Sequence, residues 1–291
     1  MVATPAKRLI ITCDEFGETH SANLAVFAAV EQGLNAGCPI GATLQMPGPW
    51  ASEAAAFAAA HPESDVGVHL TIECGLRGMK FRPICGRTEV PGLYAPDGYM
   101  WASAALAWQH SPEDQIYREC RAQIEAALEL GVDVSHLDGH GGFQGSNPAG
   151  YARVCGGLAE EFALPVRLQA RSRYEQVGAA AEWDRIRAKG IHTSDRCEDL
   201  GYRKADESYK QFYLRRLQEL PAGLTDVYAH PCADSQELRA LQPERAEGRI
   251  EQRDLLLYVR ELPEALAEVN VQLCSWRAIR ELQRSGSRAR P

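Results

Sequence analysis

What the sequence lacks narrows it first. No stretch approaches the ~20 consecutive apolar residues that span a bilayer. The opening segment offers only Leu9–Cys13 as an apolar run before Asp14-Glu15 interrupts it, too short for a signal-peptide core. A non-membrane protein working in the cytoplasm is expected. The cysteines number nine, an odd count with no C-x-x-C spacing, which suits reduced thiols better than a disulfide framework. Basic charge is not in excess: 39 acidic residues face 31 basic ones, a formal net charge of -8. The balance gives no general attraction toward nucleic acid or an anionic membrane. The phosphate-binding G-x-x-x-x-G-K-[ST] loop, the helical H-E-x-x-H motif and any internal repeat are missing as well.

What remains is the composition of a globular protein, with 45% hydrophobic and 24% charged residues over 291 positions. Unalternating apolar runs read as strands at Leu9–Thr12, Pro39–Leu44, Val66–Leu70, Val134–Leu137, Val166–Leu168, Leu224–Ala229 and Val271–Leu273. Such runs suit strands buried on both faces, as in a parallel sheet covered by helices. Helical patterns fall between them at Ala22–Gln32, Trp50–Ala60, Pro112–Leu130, Ala149–Phe162, Ala181–Lys189, Asp206–Leu220, Asp254–Glu268 and Trp276–Arg284. The alternation predicts an α/β fold, and it fits a closed or nearly closed (β/α) barrel better than an open sheet. Pro112–Leu130 is the best-marked helix, with Ser111 as its cap, Ile116, Cys120, Ile124, Ala127 and Leu128 as its buried stripe, and Gly131 as its stop.

A single domain over residues 1–284 is expected, followed by a disordered tail at 285–291. It is interrupted by a long insertion at 73–110, rich in glycine, proline and aromatic residues. Loops of that length usually cover or line a site, so the insertion reads as an active-site flap or wall.

Chemistry-bearing residues gather at four predicted strand ends. Asp14-Glu15 closes the first; adjacent carboxylates there need a cation, a hydrogen-bond network or water, and both can enter one site only if the chain turns, which Phe16-Gly17 permits. His69 closes the strand at Val66–Leu70. In His136-Leu137-Asp138-Gly139-His140 the residues His136, Asp138 and His140 share one face if the chain stays extended. His230 is fixed by Pro231, which suits a proton donor that must be held near a leaving atom. Strand C-terminal ends are where α/β enzymes assemble their sites. A carboxylate with two imidazoles fits one divalent ion with positions left open, hence a hydrolytic metal centre.

At these same residues the chain resembles the YdjC-like proteins of the chitooligosaccharide deacetylase superfamily, relatives of hopanoid-associated deacetylases. The matching pieces are ITCDEFGETHSANLAVFAAVEQG, SDVGVHLTIE, ECRAQIEAALELGVDVSHLDGHGG, LPVRLQ, VYAHPCAD and RDLLLYVRELPEALAEVNVQLCSWRAI, in order along nearly the whole chain. The resemblance implies a distorted (β/α) barrel of the glycoside hydrolase/deacetylase type and metal-dependent removal of acetyl groups from N-acetylated sugars. It makes Asp14 the catalytic base, Glu15, His69 and His140 the metal ligands, His230 the general acid and Arg167 the residue that orients Asp14.

The ion stays open among zinc, magnesium, manganese, cobalt and nickel. The implied partner is an N-acetylated sugar or glycoconjugate, with His136, Asp138, Tyr99, Trp101 and Trp108 as candidate sugar contacts; a homo-oligomer is also permitted. Two positions depart from the family pattern: Glu15 replaces an aspartate, and Gly141-Gly142 stand where further histidines are frequent. Two alternatives stand beside this reading: hydrolysis of another amide or ester in a natural-product intermediate, and a binding or regulatory protein on the same scaffold, for which these departures are the motivation.

Overall fold

The computed structural model describes residues 6–75 and 78–288. Seven strands form one sheet: β1 (Lys7–Phe16), β2 (Gly41–Leu44), β3 (Asp65–Leu70), β4 (Leu137–Gly139), β5 (Arg196–Asp199), β6 (Gly223–Ala229) and β7 (Val271–Leu273). All pairings are parallel, in the order β4-β3-β2-β1-β6-β5, with β7 beside the first residues of β1. The sheet curls, and isolated bridges from Leu137 to Val166 and from Val166 to Thr193 carry the curl from β4 toward β5. The result is the distorted α/β barrel expected, with every strand's C-terminal end on the same side.

The period-two alternation of β1 shows how the sequence grades this barrel from apolar to charged. Leu9, Ile11 and Cys13 join the large core under the helices. The intervening row starts with Ile10, packed on Leu224, Trp276 and Ile279. It continues with Thr12, whose hydroxyl donates to Asp226 at 3.0 Å, and ends with Asp14. The second face of the strand thus passes from hydrocarbon to hydrogen bond to charge within a few residues, ending where the site lies.

Several boundaries differ from those predicted. Val166–Leu168 contributes bridges rather than a strand, and the fourth apolar run, Val134–Leu137, gives way to a strand only at Leu137–Gly139. The long helix runs Glu113–Glu129 with Pro112 at its cap position and no side-chain cap, while Ser111 closes the preceding helix Ala104–His110. Its buried stripe keeps Ile116, Cys120, Ile124 and Ala127 but replaces Leu128, which is 44% exposed, with the polar Glu119 and Gln123. The expected Asp254–Glu268 helix is broken into Ala246–Leu257, a 3-10 turn at Tyr258–Glu261, and Leu262–Val269. Pro263, which lacks an N–H, stands in the first turn of the last of these, where that loss is tolerated. The C-terminal helix continues past Arg284 to Arg288, so the expected tail from 285 is helical at its start; 289–291 lie outside the described residues. Among the described residues no helix is long and apolar enough to cross a membrane.

Candidate active site

Strand geometry alone would send Asp14 and Glu15 to opposite faces. The structure resolves this at Glu15 itself, which takes a left-handed φ of 63°, and the pairing of β1 with β2 slips between Cys13 and Phe16. The expected turn therefore comes one residue earlier than Phe16-Gly17. A left-handed backbone is unfavourable for a side chain as long as glutamate, and such outliers gather at functional sites. Both carboxylates line one cavity of about 280 Å³ together with His69, Arg167, Tyr228 and His230.

On one wall Arg167 forks onto Asp14, its two Nη atoms 2.6 and 3.1 Å from the carboxylate oxygens. The same guanidinium also contacts Asp138. Asp138 in turn faces His69, whose Nδ1 is 2.8 Å from Oδ1, and the Thr43 hydroxyl donates to Asp14 Oδ1 at 3.2 Å. All these groups are buried. Burial pushes the Asp14 carboxyl above its ordinary value, against the lowering pull of Arg167 and His69. It also drives the His69 imidazole down to about 4, so the ring is neutral near pH 7.

A second arginine, Arg249, binds Glu15, Nη1 to Oε2 at 2.5 Å. Burial works to raise the Glu15 carboxyl, but Arg249, His230 and His140 override it and hold the group well below its usual range. His230 Nε2 lies 4.0 Å from Glu15 Oε1, and Nδ1 lies 3.9 Å from Asp199. The His230 backbone N–H is fastened to Gln252 at 2.8 Å. Burial lowers the His230 ring to about 4 and the His140 ring to about 3. The His140 ring stands edge-on to His69 at 5.1 Å between centroids, and both its nitrogens are buried with no partner among the described residues. Glu18, also buried, lies against the Glu15 carboxylate; burial and that neighbour hold its carboxyl well above the usual range. A buried polar atom without a partner is costly, so its presence calls for an external partner.

These donors fit a divalent ion. Among the described residues one group, Asp14, His69 and Asp138, brings a ligand atom from each within 4.8 Å of the others. Within it, however, Asp138 already engages His69 Nδ1 and both carboxylates share Arg167. A carboxylate on one ring nitrogen is how a metal-ligating histidine is commonly oriented, with the other nitrogen turned to the ion. The set expected from the sequence, Glu15, His69 and His140, is not drawn together in this way among the described residues, and Glu15 is itself engaged by Arg249.

His136, Asp138 and His140, expected to share one face, sit at different depths, and the strand itself spans only Leu137–Gly139. His136 lies lower in the barrel, fully buried and stacked on Trp276 at 4.9 Å, away from the cavity lining. The aromatics expected to face a sugar are turned to packing, away from the cavity lining. Trp101 stacks on His110 at 4.1 Å and donates its indole N–H to Gly92. Trp108 packs near Phe143 and donates to its carbonyl, and Tyr99 carries Arg82 over its ring at 5.0 Å. None of these residues lines the cavity, which is walled instead by Tyr228, Gln144, Gln169 and Arg245. Arg249 escaped the sequence reading because an arginine in ERAEGRIEQRD looks like part of a solvated helix face.

The family model for YdjC-like proteins matches residues 8–267. The chain belongs to the YdjC-like family. Among curated relatives, a carbohydrate deacetylase from Thermoanaerobacter pseudethanolicus is 25% identical over 260 residues, 88% of this chain and 95% of that protein. One from Halalkalibacterium halodurans is 26% identical over 87% of this chain and 96% of its own length. A solved structure from Enterococcus faecalis, described as a candidate cellobiose-phosphate cleavage protein, superposes with a TM-score of 0.75 at 24% identity. It covers 94% of this chain and 99% of the other, and shares the fold. The YdjC-like membership places the two unpaired histidine nitrogens and the forked aspartate in a barrel whose curated relatives are carbohydrate deacetylases.

Proposed function

We propose that this protein is a metal-dependent carbohydrate deacetylase that hydrolyses the acetamide of an N-acetylated amino-sugar unit to acetate and a free amine. The observation that carries the reading is the convergence of Asp14, Glu15, His69 and His230 on one cavity at the strand ends, with the unpartnered His140 ring beside His69. The naming of full-length relatives as carbohydrate deacetylases supports the same substrate class.

Glu15, His69 and His140 would hold the ion, which when bound supplies Lewis-acid polarisation of the acetyl carbonyl and a more acidic water. Asp14 is the base: Arg167 fixes its orientation, and burial gives its carboxyl more proton affinity than an exposed aspartate has. It removes the proton from the attacking water. His230 serves the departing nitrogen. Burial keeps it neutral near pH 7, so it donates after taking up a proton within the cycle, a form that the nearby Glu15 carboxylate favours. Gln144, Gln169 and Tyr228 offer hydrogen bonds to sugar hydroxyls.

The decisive assay is acetate release from a panel of N-acetylglucosamine conjugates. Asp14→Asn should retain metal while losing about 10²–10⁴-fold in kcat, the range of a general base. Unimpaired turnover by Asp14→Asn would sink the proposed mechanism.

A further inference from the structure

The insertion at 73–110 meets the His140 segment at several points, with Phe81 edge-on to the His140 ring at 6.5 Å and the Trp108 indole on the Phe143 carbonyl, and one of them is a buried carboxylate. Glu73 is 5% exposed and stands just past the end of β3. Its Oε2 accepts the backbone N–H of Ala104 at 2.8 Å, and Ala104 is the first residue of the insertion's helix Ala104–His110. Its Oε1 accepts the backbone N–H of Gly142 at 2.6 Å. Gly142 lies two residues beyond His140. The two arms of one carboxylate therefore tie the insertion to the loop that carries His140.

The fit around this tie is close. Gly141 has a φ of +52°, and a Cβ added there would lie 2.5 Å from Glu73 Oε1. Gly75, two residues after Glu73, has a φ of +65°, and a Cβ there would lie 2.4 Å from His140 Nε2. The departure from the family pattern at Gly141-Gly142 thus has a physical use: bare backbone lets Glu73 reach the Gly142 amide. The aromatic residues expected to face a sugar are meanwhile engaged in packing, Trp101 within the insertion and Trp108 against Phe143 beyond it.

We infer that Glu73 is a positioning residue, and that the insertion serves the site as a brace for His140 rather than as a sugar-stacking wall. This rests on the reading of His140 as a site residue. Neutral amide or hydrocarbon cannot replace the carboxylate: glutamine would accept one backbone N–H and point its own NH₂ at the other. Charge-assisted hydrogen bonds of this kind are the stronger class, and their partners hold ligand loops in place.

Glu73→Gln tests the idea in the full-length protein, read first without metal or substrate. The amide of Gly142 should exchange roughly ten-fold faster or more, and the His140 ring signals in NMR should shift or broaden. The Kd for Zn²⁺ alone should then rise by about ten-fold, the lower part of the range for lost supporting contacts around a metal ligand. Ala104→Pro is the second variant. It deletes the other N–H at a helix's first position, where proline is accepted, behind a Ser103 that is already extended. It should move the same Gly142 and His140 signals in a folded protein even if Glu73→Gln does not fold. Exchange at Gly142, His140 signals and Zn²⁺ affinity all unchanged would overturn the inference, as would a change confined to the insertion. Failure to release acetate with these responses intact would remove the deacetylase reading and leave the brace standing.

Discussion

At the end of the barrel where strands begin, Asp65 has both oxygens engaged: Oδ2 accepts the Trp276 N–H at 2.6 Å and Oδ1 the Arg277 N–H at 3.0 Å. It closes the otherwise unpaired first turn of the C-terminal helix. Asp133 nearby is gripped by Arg277 and Arg280, and Asp226 accepts from Thr12 and the Trp276 indole. At the end where strands finish, His140 has both nitrogens buried without a partner among the described residues. His136, midway, is intermediate, with Nδ1 facing Ser135 and Nε2 unpaired. Asp65, Asp133 and Asp226, which clamp elements of the fold together, have their bonding capacity filled, whereas the His140 ring beside His69 keeps capacity that an ion or substrate can use. Fold stability and chemistry are drawn from opposite ends of the same strands.

Arg167 breaks this division, since it belongs to the cavity and yet saturates Asp14 and Asp138, so its removal should give the largest effect. Arg167→Met leaves those buried carboxylates without their shared cation. A loss of about 3–5 kcal/mol is expected in denaturant unfolding, in the range for breaking buried ion pairs, together with loss of acetate release. A stable, active Arg167→Met protein would show that another cation carries the site.

Acid titration sharpens the comparison next. In the metal-free protein His69, His140 and His230 are held at about 4, 3 and 4, against 6.5 for a free imidazole. Below 6.5 the unfolded chain gains protons that the folded one refuses, so stability falls as pH drops from about 6.5 toward 4. Asp133 behaves oppositely in origin: the Arg280 and Arg277 contacts lower it from 3.8 to about 2. Its contribution is present above 3.8 and is lost only as pH falls through about 2. The cavity end should thus weaken first, by a few kcal/mol between pH 7 and 5 for the three imidazoles together. Saturating Zn²⁺ should remove the share of that sensitivity carried by His69 and His140 and leave that of His230, because only ligated imidazoles are held unprotonated. Equal denaturation midpoints at pH 7 and 5 without metal would contradict the neutral burial of these rings.

Asp65→Ala comes third, with about 2 kcal/mol lost and acetate release per folded molecule unchanged, because it frees N–H groups far from the cavity. A matched fall in kcat would show that the two ends are coupled.

The sequence made visible the features that buried strands impose. Continuous apolar runs exposed β1, β3 and β6, and with them the chemistry at Asp14, Glu15, His69 and His230. β5 was invisible because Arg-Cys-Glu-Asp has no apolar run, and its residues are only half-buried or exposed. The Val166 segment misled in the opposite sense: it is fully buried like a strand, yet it makes single bridges on either side. Depth was also hidden, for a period-two rule gives the face of His136 but not its distance down the barrel. Arg249 and Glu73 could not be ranked from sequence, since each acquires its role from a partner distant along the chain, Glu15 for the one and Gly142 for the other.

The smallest effect on stability should come from the residue with the most open capacity. His140→Leu substitutes an apolar group of comparable size for a buried ring with both nitrogens unpaired. Losing such a ring costs no protein hydrogen bond from its side chain, and apolar replacement of unsatisfied polar groups is near neutral. Stability at pH 7 without metal should therefore stay within about 1 kcal/mol of the parent. Zn²⁺ affinity should meanwhile fall by well over ten-fold, since a supporting contact alone is worth about that much. A large stability loss with Zn²⁺ binding intact would place His140 with Asp65 among the groups that hold the barrel, and the contrast between its two ends would fail at the residue where it is sharpest.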